Sequence, residues 1–186
     1  MSNDLGFGVP LSRRNLTALR SALEPLETGA SVTALFRYTE HGQFTVSGPV
    51  RRDLTETVLK VGWWDLTNGK KVEPVSELQS LTSTVVEDDD RSDLAPDGDE
   101  LRSVVSSLDA GDIVTADFEF EGCGRFTISG GVRRDEHGTR WILAGHHLTL
   151  GDAHAPRLRR LVVERKAAVP VAAGAGVGAQ YDLFGG

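Results

Sequence analysis

The sequence predicts a mainly β (α+β) protein made by tandem duplication of one unit, a helix followed by a small, strongly bent antiparallel sheet or barrel. Three observations carry this. The chain repeats itself at a fixed offset, each copy opens with apolar residues at helical spacing, and the period then changes to two over stretches separated by glycine-containing turns.

The repeat is found by pairing Gly29 with Gly111, an offset of 82 residues. FTVSGPVRRD at Phe44 to Asp53 then falls on FTISGGVRRD at Phe126 to Asp135, LRSALEPLETG falls on LRSVVSSLDAG, and VTALF falls on VTADF without a gap. About 20 of about 50 aligned positions are identical, far above the roughly 6% that composition alone supplies.

Each element has a local reason. Leu16, Leu19, Leu23 and Leu26 recur at spacings of three and four after Ser12, and Leu101, Val104, Val105 and Leu108 do so after Asp97-Gly98-Asp99, so both copies open with an amphipathic helix that ends before Gly29 or Gly111. Val32, Ala34, Phe36 and Tyr38, like Val114, Ala116, Phe118 and Phe120, alternate with more polar neighbours, the pattern of a half-buried strand. Turns at Glu40-His41-Gly42 and Gly122-Cys123-Gly124 lead into a second strand through Phe44 and Val46, or Phe126 and Ile128. Gly48 and Gly130 interrupt that strand and predict a bulge or sharp bend. Further strands are expected in Leu59 to Leu66, Glu77 to Val86, Trp141 to Leu150 and Leu158 to Lys166, giving four or five strands per copy.

These patterns divide the chain into repeat unit 1 (residues 1–86), an acidic linker (87–100), repeat unit 2 (101–166) and an Ala/Gly tail (167–186). The net charge of −7 is local: eight acids and Arg91 between Glu87 and Glu100 sum to the same −7, so the remainder is near neutral with basic clusters at Arg51-Arg52, Arg133-Arg134 and Arg157 to Arg160. The single cysteine has no intramolecular disulfide partner. The N-terminus lacks a signal-peptide pattern and no run approaches about 18 apolar residues, so a soluble, cytoplasmic protein with no membrane partner is expected.

Candidate sites in the body are few. His146, His147, Asp152 and His154 are the main concentration of potential metal ligands, but adjacent histidines on a strand point to opposite faces and copy one holds Trp64 and Asp65 at the first two positions, so no metal is expected. Cys123 has no neighbour set by spacing to activate it. Arg51, Arg52, Arg133 and Arg134 read either as charged strand ends or as phosphate contacts for DNA or RNA, with Trp63, Trp64 or Trp141 available to stack on bases. No serine-histidine-acid set, phosphate loop or dinucleotide fingerprint is present; no catalytic residue, enzyme activity or cofactor is expected.

From Ala167 the sequence AAVPVAAGAGVGA has no amphipathic period, and about 13 residues of such composition span on the order of 20 Å. It leads to Gln180-Tyr181-Asp182-Leu183-Phe184. This pentapeptide resembles the bacterial DNA sliding-clamp-binding motif, usually Gln, any residue or Leu, Asp or Ser, Leu, Phe; Tyr181 occupies the tolerant position. The resemblance covers five residues and implies that Leu183 and Phe184 enter a hydrophobic groove, each contributing roughly 1.5–3 kcal/mol, with Gln180 hydrogen-bonded in a second subsite and Asp182 setting the bend. Ordering the tail opposes this, so affinity near the micromolar range is expected, about −8 kcal/mol. The expectation is a non-enzymatic replication or repair accessory protein docked on the clamp; the alternatives are a tail that folds back to cover its own barrel or serves another partner, and a tandem small-barrel nucleic-acid binder using the arginine clusters.

Overall fold

The computed structural model describes residues 13–55, 57–83, 98–148 and 156–166. Copy one supplies α1 (Arg13–Leu23), β1 (Ser31–Tyr38), β2 (Gly42–Arg52), β3 (Leu59–Val61), β4 (Trp64–Asp65) and β5 (Leu78–Ser83). Copy two supplies the same series as α2 (Gly98–Ser106), β6 (Ile113–Phe120), β7 (Gly124–Arg134), β8 (Trp141–Leu143), β9 (His146–His147) and β10 (Arg157–Arg165). The duplication seen in the residues is thus a duplication of structure, with five strands and a helix in each copy among the described residues. The result is a mainly β fold with a strongly curled antiparallel half-barrel sheet.

α1 stops where Pro25 removes a backbone donor; its last turn closes with Glu24 N donating to Arg20 O at 3.0 Å. Leu19, Leu23 and Leu26 from its apolar face are buried. α2 starts at Gly98, inside the segment read as acidic linker, and carries Asp99 and Glu100 in its first turn, where the helix dipole favours negative charge. Each helix hands over to its first strand through the same pair of bonds: Gly29 N to Val50 O and Val50 N to Ala30 O in copy one, and Gly111 N to Val132 O and Val132 N to Asp112 O in copy two.

The copies share one sheet, in the order β10-β6-β7-β2-β1-β5. β2 and β7 pair antiparallel at its centre with Val46 opposite Ile128 and Phe44 opposite Gly130. Val46 and Ile128 are equivalent positions of the repeat, so a pseudo-twofold axis passes between them. Phe44 meets the glycine of copy two, and Phe126 meets Gly48 of copy one.

This pairing excludes a bulge at the two glycines and gives them a different role. β2 and β7 run unbroken through Gly48 and Gly130, and neither glycine has a positive φ. A Cβ on Gly48 would stand 3.1 Å from Phe126 Cβ, and one on Gly130 would stand 2.9 Å from Phe44 Cβ. The glycines make room for a phenylalanine across the copy boundary. Register shifts occur instead in the outer pairs, between Leu35 and Phe36 against β5 and at two points along β10.

One apolar cluster runs through both copies. Phe36 stacks on Phe44 at 5.8 Å, and Phe118 repeats the arrangement on Phe126 at 5.8 Å. Trp64 bridges them, 5.4 Å from Phe44 and 6.3 Å from Phe126. The opposite face of the central strands carries hydroxyl pairs: Thr33 with Ser47 at 2.8 Å and, in copy two, Thr115 with Ser129 at 2.7 Å.

The segments expected as single strands at Leu59 to Leu66 and Trp141 to Leu150 are instead tight hairpins, β3–β4 and β8–β9, extending β2 and β7 at opposite ends. The second hairpin turns through Ala144 (φ 48°) and Gly145 (φ 87°), the two positive φ values of a type I′ turn. Thr149 and Leu150 lie outside the described residues.

Candidate functional site

The four candidate arginines end β2 and β7, and the antiparallel pairing about Val46 and Ile128 sends these ends in opposite directions. Arg51 and Arg133 are each five residues from the axis, so the clusters lie up to about 33 Å apart along the strands, less whatever the curl removes. They form two related clusters rather than one patch.

Their side chains do different work. Arg51 is half-buried and donates from Nε and Nη2 to Gly62 O at 3.1 and 2.8 Å, closing the β3–β4 turn. Arg133 reaches across the copy boundary, its Nη2 donating to His41 Nδ1 at 3.3 Å. Arg134 lays its guanidinium over Trp141, with Cζ 3.8 Å from the ring centroid. Arg52 is exposed, and no side-chain hydrogen bond or ion pair joins it to another described residue.

The aspartates closing the two Arg-Arg-Asp triplets build turns. Asp53 Oδ1 accepts from Thr55 Oγ1 at 2.9 Å and from Thr57 N at 3.0 Å; Asp135 accepts from Thr139 N at 2.7 Å and Thr139 Oγ1 at 3.0 Å. Desolvation raises both carboxyl pKa values, but the donated hydrogen bonds outweigh it and hold both below the usual carboxylate range.

The tryptophans available for stacking reduce to one. Trp64 and Trp141 are core residues, because their short strands point them inward, whereas Trp63 in the β3–β4 turn keeps 41% of its surface exposed. One side of it is used: Phe120 lies 4.8 Å away between centroids and His146 5.5 Å.

No protein-family model matches the chain, no curated protein matches it in sequence, and no solved structure matches it. Site assignments therefore rest on its own residues.

His146 takes the position of Trp64 in the repeat, and the two rings meet edge to face at 5.0 Å near the pseudo-twofold axis. Burial, then the proximity of His41 and His147, lowers its pKa to about 4, so the ring is neutral near pH 7. His147 occupies the alternate face of β9, and no three ligating side chains come together among the described residues. Asp152 and His154 lie outside them. Cys123 is buried, and burial raises its thiol pKa despite the opposing influence of Arg51 and Lys60. It is a packed residue of the β6–β7 turn.

Gln180, Tyr181, Asp182, Leu183 and Phe184 lie outside the described residues. The last described residue, Lys166, is tied down. Its Nζ donates to buried Asp112 Oδ2 at 2.9 Å and to Ser107 O at 2.5 Å, which joins the end of β10 to the α2–β6 connection. Among the described residues no helix is long and apolar enough to cross a membrane.

A further difference between the copies escapes motif reading. Arg52 lies opposite Leu59 in the β2–β3 pair, while Arg134 lies opposite Trp141 in the β7–β8 pair. The signal is present in the sequence as one unequal position in the repeat alignment, but its consequence is spatial.

Proposed function

We propose that this chain is a non-enzymatic accessory protein of DNA replication or repair that docks on the bacterial sliding clamp through Gln180, Tyr181, Asp182, Leu183 and Phe184. The observation that carries the reading is that pentapeptide, with a glutamine, an acid and a Leu-Phe pair in the order the clamp groove accepts, preceded by 13 residues of almost wholly Ala, Gly and Val composition.

The experiment mixes the purified full chain with the clamp of its own organism and compares it with a Leu183→Ala, Phe184→Ala double variant. Binding near the micromolar range that the double variant loses is the expected result. Equal binding by both, or binding by neither, overturns it.

The second reading, nucleic-acid binding by the body, draws on the exposed Arg52, Arg133 and Arg134 at the two related strand ends. Salt separates the readings: phosphate contacts weaken steeply between low and moderate ionic strength, whereas a mainly apolar peptide contact does not.

A further inference from the structure

The unequal position 59/141 leads to a site. In copy two the Trp141 ring occupies the space beneath the Arg134 guanidinium. In copy one the smaller Leu59 stands there, and a cavity of about 220 Å³ opens beside it, walled by Leu23, Leu26, Leu59 and Val72 and rimmed by Arg52 and Lys70. Its walls are held in place. Arg20 Nε donates to Val72 O at 3.1 Å, tying the β4–β5 connection to α1, and Leu59 N donates to Thr67 Oγ1 at 3.0 Å.

We propose that this cavity binds a small aromatic monoanion, with its ring under the Arg52 guanidinium and its acid group on Lys70. The ring is argued from the repeat itself: the same scaffold, with the same arginine on the same strand, is completed in copy two by an indole. The charge follows from the rim, where Arg52 and Lys70 have no ion-pair partner among the described residues and Glu24 supplies a single opposing carboxylate. Leu23, Leu26, Leu59 and Val72 give the ring an apolar surface, and Thr57 and Thr67 join the charged groups in the lining, so both halves of such a ligand find a matching surface.

Indole-3-acetate combines the Trp141 ring with an acid group, and ligand-observed NMR on the full chain tests it against indole, which lacks the acid, and acetate, which lacks the ring. Indole-3-acetate is expected to bind with a dissociation constant on the order of a millimolar or lower, more tightly than either fragment. Leu59→Trp fills the cavity from within and removes binding, and Arg52→Gln weakens it about tenfold. No binding at millimolar concentration, or undiminished binding by folded Leu59→Trp, overturns the site. Should Leu59→Trp not fold, the exposed Arg52→Gln decides alone: unchanged affinity sinks the proposal.

Discussion

Phe44 of copy one lies directly opposite Gly130 of copy two, and a methyl group on that glycine would come within 2.9 Å of the phenylalanine Cβ. The contact is backbone-anchored on both sides, so neither partner can swing away. Gly130→Ala therefore overpacks the seam between the copies, at a cost of about 1–3 kcal/mol. Gly48→Ala, with 3.1 Å to Phe126 Cβ, costs the same or somewhat less. Urea denaturation of both variants checks this; stabilities equal to the parent would remove the seam as a determinant of the fold.

The hairpin turns give a prediction of opposite sign at equivalent positions. Gly62 and Ala144 both have positive φ, 54° and 48°. A left-handed conformation costs a non-glycine residue about 1–2 kcal/mol, while the unfolded-state freedom of glycine costs about 0.4–1 kcal/mol. Ala144→Gly is expected to be neutral or to stabilise by up to about 1 kcal/mol. Gly62→Ala incurs the strain and also places a Cβ 3.0 Å from the Phe126 ring, so it costs about 2–3 kcal/mol. Thermal unfolding of the two variants side by side distinguishes the signs.

His146 makes stability depend on pH. Its pKa is lowered to about 4 in the folded protein, below the value near 6.5 of an unfolded chain, so the unfolded state binds the extra proton between these values. Its contribution is fully present above about pH 6.5 and is lost as pH falls toward 4, on the order of 3 kcal/mol across that window. His146→Gln is expected to flatten the pH dependence there, whatever it does to stability at pH 7. A denaturation midpoint that falls equally in parent and variant between pH 6.5 and 4.5 would count against this.

Asp112 is fully buried and takes its charge partner from Lys166. The hydrogen bonds to Asp112 raise the lysine pKa first, and the nearby Asp112 and Asp109 charges add to that. Lys166→Met removes the ammonium that Asp112 Oδ2 bonds at 2.9 Å and lowers the melting temperature. Copy one places Ala30 at the position of Asp112, so adding Asp112→Ala to Lys166→Met is expected to recover much of the loss. A double variant no more stable than Lys166→Met would show that the pair is not coupled.

Much of this protein was written locally in the chain. The helix stripes of Leu19 and Leu23, the alternation through Phe36 and Phe118, and the near-identity of Phe44 to Asp53 with Phe126 to Asp135 are short-range patterns, and they determined the helix and the two long strands of each copy and the duplication. The tail peptide, too, is legible only as sequence. What lies across from a residue is not local information: nothing in the strands of Gly48 and Gly130 announces the phenylalanines that face them. Tertiary structure alone decided that the copies share one sheet, that Arg51 is committed to Gly62 O while Arg52 lines a cavity, and that this cavity opens beside Leu59 where copy two has tryptophan. Periodicity specifies which face of an element is buried; only the register between distant segments specifies against what.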